Sequence, residues 1–386
     1  MPSHSRGISL YVHVPFCAQR CTYCDFFFVT TKQGYDDFVT TLCQEVAQFG
    51  DQNSGQSSNT IYFGGGTPSR LSPQSIRHIL RAIDQCFDTA NVSEITLEAN
   101  PEDISASRLE QFLDSGVTRI SLGVQSFSNQ DLKFMNRSHD AHQAMNACTL
   151  IDAAGFESWS LDLIFGVPGT SLLDWEKNLI LAIETGVSHI SSYSLSIESN
   201  TPLHKQVKRG IVNPVTDSEM SDQYQMTIDT LVDAGFEHYE ISSFAYPGHR
   251  SQHNSNYWSH QNYLGFGPSA HSFWWDNEMI VRWKNVSNLR SYHALIREKK
   301  SPANFRESLT IQDLIREKIM LSIRTSVGIN LSDLRERYGY ALVEDKRDEL
   351  LAMESNGLIY YDQTSIRLTE RGKHICDQIT EQLWPT

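Results

Sequence analysis

The chain has 386 residues, of which 40% are apolar and 20% charged, enough for a sizeable core and about two to three domains. Acidic side chains outnumber basic ones, 46 to 32, and the net charge of −14 excludes a broad nucleic-acid surface. Residues 1–7 are polar and the apolar run after them is too short for a secretory signal or a membrane span, while seven cysteines, an odd number, do not suit a secreted disulfide framework; the expected compartment is a reducing cytoplasm.

Residues 8–15 form the first expected strand. A loop follows that carries Cys17, Cys21 and Cys24 in C-x3-C-x2-C spacing. Soft thiolates grouped this tightly suit a metal or an iron–sulfur centre, and spacing alone leaves both open. One reading is a zinc site completed by His13 or by a distant cysteine. The other is a [4Fe–4S] cluster with one iron left for a chelating small molecule, shielded from water by Tyr23 and by Phe26, Phe27 and Phe28. Cys43, Cys86, Cys148 and Cys376 are isolated and read as buried small hydrophobes.

A helix is expected over 35–49, where Phe38, Leu42, Val46 and Phe49 recur at helical spacing, and then a polar loop over 50–58. Strands are expected at 59–63, 94–98, 118–124, 159–165 and 189–197. They alternate with helices at 73–87, 105–115, 141–154 and 172–185, where Ser72 and Pro73 give a start signal and Gly155 and Gly186 give stops. Six successive strand–helix units imply a parallel α/β architecture with right-handed crossovers. A doubly wound sheet and a (β/α) barrel both satisfy the pattern. The distinctive residues recur at the strand ends of every unit, as in a barrel, whereas a doubly wound sheet gathers them at one switch point. Six units fall short of eight, so the expectation is a partial, open (β/α)6 barrel over 1–198, its open side a mouth for substrate.

Residues 199–305 read as an accessory segment, with a helix at 217–234, a strand at 239–244, and a stretch rich in histidine and aromatic residues at 246–275. Residues 306–386 have the order of a winged helix: three helices, two short strands and a last helix. Acidic residues outnumber basic ones there too, which favours docking or packing over duplex binding.

Several residues stand out chemically. Gly64, Gly65 and Gly66, followed by Thr67, permit close approach of backbone to a ligand, although the run lacks both nucleotide-binding fingerprints. Glu98, Gln125 and Asp162 are polar residues within or at the tips of apolar strands, and three on one rim suggest a site. Arg137 is suited to pairing with a ligand carboxylate.

The segment Tyr11 to Cys24 reads Y-x-H-x-P-F-C-x3-C-x-Y-C; G-G-G-T-P begins at Gly64, E-A-N-P at Glu98, G-V-Q-S-F at Gly123, D-L-I-F-G-x-P-G at Asp162 and H-N-x-x-Y-W at His253. With these motifs nearly the whole chain resembles the radical S-adenosylmethionine (SAM) superfamily, and within it the oxygen-independent coproporphyrinogen oxidase-like group and the HemW-type haem chaperones. The resemblance implies that Cys17, Cys21 and Cys24 ligate a [4Fe–4S] cluster whose remaining iron takes the amino and carboxylate groups of SAM. It implies that Gly65, Gly66 and Thr67 meet that molecule, with Tyr11 and Glu98 nearby. Gln125, Arg137 and Asp162 match positions that contact a second SAM in the decarboxylating relatives. Those relatives carry a further cysteine just after the third ligand, where this chain has Asp25 and Phe26, and they have an N-terminal extension that about seven residues here do not match. The implied function is therefore a haem chaperone that delivers haem to acceptor proteins, respiratory ones among them, with His253 as a haem contact beside Tyr257 and Trp258. The alternative is radical oxidative decarboxylation of coproporphyrinogen III to protoporphyrinogen IX.

Overall fold

The structure is a computed structural model that describes residues 7–31, 33–53, 56–276 and 278–385. Six parallel strands follow one another across the sheet in chain order: β1 (Ile8–Val14), β2 (Ser58–Gly65), β3 (Glu94–Ala99), β4 (Arg119–Gln125), β5 (Ser158–Phe165) and β6 (His189–Ser194). Between them run α1 (Tyr35–Asn53), α2 (Pro73–Cys86), α3 (Ala106–Asp114), α4 (Asn129–Phe134), α5 (Ala141–Ala154) and α6 (Leu172–Glu184). This is the expected partial barrel. Of the polar loop expected over 50–58, α1 takes the first part and β2 the last residue; residues 54–55 lie outside the described residues, as do residues 1–6 of the polar start.

Local chemistry sets these boundaries. The Ser72 hydroxyl accepts from the Ser75 amide at the head of α2, with Pro73 in the first turn. Asp140 and Gln143 close a capping box on α5, which ends at Gly155 in the left-handed region. The strands are covered on the helix side by Leu42, Val46, Ile79, Leu109 and Ile151, all buried. Their other side faces the barrel interior.

The sheet does not stop at six strands. Past α7 (Pro202–Lys208) and α8 (Asp217–Asp233), β7 (Glu237–Glu240) and β8 (Ser243–Ala245) form a hairpin that pairs antiparallel with β6. After α9 (Gln252–Trp258), β9 (Tyr263–Phe266) pairs parallel with β1, and β10 (His271–Trp275), β11 (Ile280–Asn285) and β12 (Ala303–Ser308) continue that edge antiparallel, with α10 (Leu289–Arg297) before β12. One twelve-stranded sheet results. The strands β9 to β12 were not anticipated from sequence.

The C-terminal residues build a second core from α11 (Ile311–Ile323), α12 (Leu331–Tyr338), α13 (Leu342–Asp345), α14 (Arg347–Ser355) and α16 (Cys376–Leu383), with the three-stranded sheet β13 (Ile329–Asn330), β15 (Ser365–Leu368) and β14 (Ile359–Tyr361) in that spatial order. Phe273 of β10 belongs to this core, so the C-terminal unit rests on the added strands. Cys148 and Cys376 are buried as expected, whereas Cys43 and Cys86 are only half-buried. No helix among the described residues is long and apolar enough to cross a membrane.

Candidate functional site

At the C-terminal ends of the barrel strands lies a cavity of about 530 Å³. Cys17, Cys21, Cys24, Gly65, Gly66, Thr67, Glu98, Gln125, Arg137 and Asp162 all line it. Six segments far apart in sequence, strand residues and loops together, thus bring nearly every sequence-predicted residue to one place.

The cysteine loop is held by backbone bonds. Cys17 N donates to Val29 O at 3.0 Å, Val29 N to Pro15 O at 2.6 Å and Thr22 N to Met135 O at 3.1 Å. The Asn136 side-chain amide donates to Arg20 O at 2.6 Å. Two donors approach the sulfurs: Arg137 Nη1 lies 3.4 Å from Cys21 Sγ and Thr67 Oγ1 lies 3.8 Å from Cys17 Sγ. Burial pushes the Cys17 thiol up to about 11 and raises Cys24 as well, so these sulfurs need a metal or a cation to ionise.

His13 does not complete a zinc site with them. Its Nε2 lies 3.0 Å from Phe27 O and its Nδ1 3.3 Å from Tyr11 Oη, and the ring borders a second cavity. Among the described residues no three metal-ligating side chains close on a single ion. A [4Fe–4S] cluster makes a different demand, because each thiolate binds a different iron.

Behind the cysteines sits a half-buried set of titratable groups. Glu98 Oε1 accepts from Tyr62 Oη at 2.8 Å and Oε2 from Gly65 N at 3.2 Å. Gly65 adopts φ +110, and a Cβ there would lie 2.6 Å from the His13 ring, so only glycine serves. Burial pushes Glu98 up to about 7; the Tyr62 and Gly65 bonds pull it back, and the nearby Asp162 charge adds to the rise. Burial likewise lifts Asp162 to about 6 against the pull of Ser191, Arg119 and Arg137. Burial works against the Arg137 charge, yet Tyr23, Cys21 and Glu102 raise its pKa on balance. Arg137 Nη2 donates to Asn100 Oδ1 at 2.7 Å and to Gly123 O at 2.9 Å. Gln125 ends β4 at φ +69, beside a break in the strand register. For a residue with a Cβ this is a strained conformation, of the kind found where side chains are aimed at ligands.

The donor set fits a cofactor that carries charges of both signs. Two half-buried carboxyl groups suit cationic groups and a guanidinium suits a carboxylate. Arg137 Nε and His189 Nδ1 are buried without a protein partner, and both residues face the cavity.

Two predicted residues are not brought to this cavity. Tyr11 packs behind Tyr62, with ring centroids 6.1 Å apart, and faces the second cavity. His253 is fully buried: Thr60 Oγ1 lies 2.9 Å from Nδ1, and Tyr257 Oη lies 2.9 Å from Nε2. With both ring nitrogens occupied, and burial lowering its pKa to about 3, its imidazole acts as a neutral link between α9 and β2. His253, expected as a haem contact, lines neither of the two cavities.

Sequence reasoning passed over Arg119, Ser121, Ser160, His189, Ser191 and Tyr193, which also line the cavity. A signal for them exists. They recur at every second residue of β4, β5 and β6, and register places Glu98 beside Ser121, Ser121 beside Ser160 and Asp162 beside Ser191. A polar stripe of period two on otherwise buried strands marks a wet barrel interior.

Comparison with known proteins agrees with this geometry. The model of the Radical SAM superfamily matches residues 11–182, and that of the HemN C-terminal domain matches 309–374. The Heme chaperone HemW of Bacillus subtilis is 31% identical, over 96% of this chain and 97% of its own. The chain belongs to the HemW family of radical SAM proteins. The Escherichia coli HemW is 38% identical over 68% of this chain and 69% of its own length. In fold, the chain is similar to the solved coproporphyrinogen III oxidase HemN of Escherichia coli, a radical SAM enzyme. The TM-score is 0.84 at 22% identity, over 99% of this chain and 91% of that one. Membership of the HemW family implies a [4Fe–4S] cluster and SAM.

Proposed function

We propose that the chain is a haem chaperone that holds a [4Fe–4S] cluster and SAM, binds haem and passes it to acceptor proteins, respiratory ones among them. The observation that carries the cofactor half is the convergence of three cysteines, the Gly65–Gly66 backbone, Glu98 and Arg137 on one cavity. The names of the HemW relatives support the haem half.

In this reading Cys17, Cys21 and Cys24 hold the cluster, which supplies an electron for the reductive cleavage of SAM when both are bound. Arg137 and Thr67 direct N–H and O–H groups at two of the sulfurs, which favours the reduced, more negative state. Gly65 and Gly66 let a ligand lie against the backbone at the end of β2. Glu98, desolvated at the cavity wall and mostly neutral below its pKa of about 7, becomes an anion above it and then pairs with a cationic ligand. SAM affinity is therefore expected to rise by up to about tenfold between about pH 6 and 8. The variant Glu98→Gln, which has no carboxyl to titrate, should flatten that rise, as equilibrium binding to the cluster-loaded protein will show.

One anaerobic assay tests the function. The cluster-loaded protein should bind haem stoichiometrically and give it up to an apo-acceptor, and coproporphyrinogen III should remain unconverted when SAM is being cleaved. Absence of haem binding under reducing, anaerobic conditions defeats the proposal, and formation of protoporphyrinogen assigns the chain to the decarboxylating oxidases.

A further inference from the structure

The second cavity, about 910 Å³, lies between the cysteine loop, the strands β1 and β9 to β11, and the helices α9 and α11. Its size is near the upper end of the roughly 300–1,000 Å³ typical of small-molecule sites. Its walls are aromatic. Tyr263 meets Tyr257 edge-on at 4.8 Å, and Phe273 stacks on His260 at 4.8 Å. Strand register puts a histidine and two cations on the same face, with His271 opposite Lys284 and Phe273 opposite Arg282.

Those polar groups are unequally engaged. Arg282 is committed to Glu317 of α11, with Nη2 to Oε1 at 2.6 Å. His13 and His260, which also border the cavity, are buried and bonded to protein groups. His271 is exposed, and neither it nor Lys284 has a hydrogen-bond or ion-pair partner among the described residues. Burial, then Lys284 and Arg282, lower the His271 pKa below its ordinary value. At neutral pH the ring is uncharged, the form in which imidazole binds a metal. Phe26, 64% exposed, stands on the rim of this cavity and of the cluster cavity alike.

A flat aromatic ligand carrying a metal at its centre and a carboxylate at its edge satisfies all of these groups at once. We propose that this second cavity seats the haem, with the His271 imidazole as an axial ligand to iron, Lys284 on a propionate carboxylate, and the rings of Tyr263 and Phe273 against the macrocycle. The inference rests on the chaperone reading above and locates its cargo away from His253. The cluster cavity suits haem less well, because it is smaller, about 530 Å³ against about 910 Å³, and in that reading already holds the cluster and SAM. Asp25 and Phe26 border both cavities, so the loop that holds the cluster is also one wall of the haem seat.

The test is a titration of the full, cluster-loaded protein with ferric haem under anaerobic conditions, followed by the Soret band and by electron paramagnetic resonance. His271→Ala should remove the histidine-ligated signature and weaken haem binding by about tenfold or more, with the cluster absorbance of the same samples retained. Lys284→Gln should weaken haem by about threefold and leave the affinity for haem dimethyl ester, which lacks the carboxylates, as in the wild type. Should His271→Ala fail to fold, the Lys284→Gln comparison decides by itself. If the wild type binds haem and both variants bind it with unaltered spectrum and affinity, the placement is wrong while the chaperone reading stands. If the wild type binds none, both fall.

Discussion

Replacing any one of Cys17, Cys21 and Cys24 with serine is expected to abolish the iron–sulfur centre and leave the fold in place. In the proposed reading three thiolates are the whole protein donor set for a cluster of about four irons, and a serine hydroxyl is a hard, weakly acidic donor that does not replace one. Iron and sulfide should fall from about four of each per chain to well below one, with loss of the visible charge-transfer absorbance. Half-buried Cys43, changed to serine in the same way, should keep the cluster. The fold should survive because the loop is fixed by main-chain bonds to Pro15, Val29 and Met135 and by the Asn136 side chain, none of which involves sulfur. Thermal midpoints of the metal-free wild type and variants should therefore agree closely. A structural zinc site behaves in the opposite way, since its metal supplies folding energy. A colourless wild type with one zinc, no sulfide and a large loss of stability on serine substitution would falsify the cluster assignment.

The barrel was legible in sequence because each of its signals is local. Ser72 and Asp140 cap helices through bonds three residues away, Gly155 ends one by its own backbone, and the strands are apolar on the face that the helices cover. The cavity was legible for a related reason. A polar residue at the end of an apolar strand costs stability unless it has a partner or a ligand, and Glu98 and Asp162 are of this kind.

The added strands were not legible. β9 is four residues long, and its place beside β1 depends on pairing across some 250 residues of chain. The aromatic and histidine content of 246–275 stood out without showing a strand. The same stretch holds the expected haem contact, His253. His253 lies in a memorable motif, but its helix turns it inward to Thr60, an interaction that no local pattern records. His271 carries no motif and is exposed because of the strand pairing that the sequence concealed.

That concealed edge depends on one side chain of the barrel, and its removal should have the largest effect on stability. Glu45 of α1 is buried and accepts three bonds: from Gly267 N at 2.7 Å, from Asn285 Nδ2 at 2.7 Å and from Tyr292 Oη at 2.6 Å. The donors come from the β9–β10 turn, from β11 and from α10. The turn has little room to adjust, since Gly267 sits at φ +96 and a Cβ on it would lie 2.5 Å from His13 O. Glu45→Ala strands three buried donors and opens a cavity, a cost of about 3 kcal/mol or more, to be read as a lowered first transition on heating. The loss should be local. Hydrogen exchange should quicken over residues 263–297 and haem affinity should drop, while the cluster, whose loop is bonded elsewhere, is retained. Glu45 also carries a pH signature. Burial pushes it up to about 7 although all three bonds oppose the rise. The folded state thus holds a proton that the unfolded chain releases nearer 4.5. Its contribution is complete below the unfolded value and is lost as pH rises through about 7. Stability of the wild type should therefore decline between about pH 5 and 8, and Glu45→Gln, which cannot ionise, should remove that part of the slope.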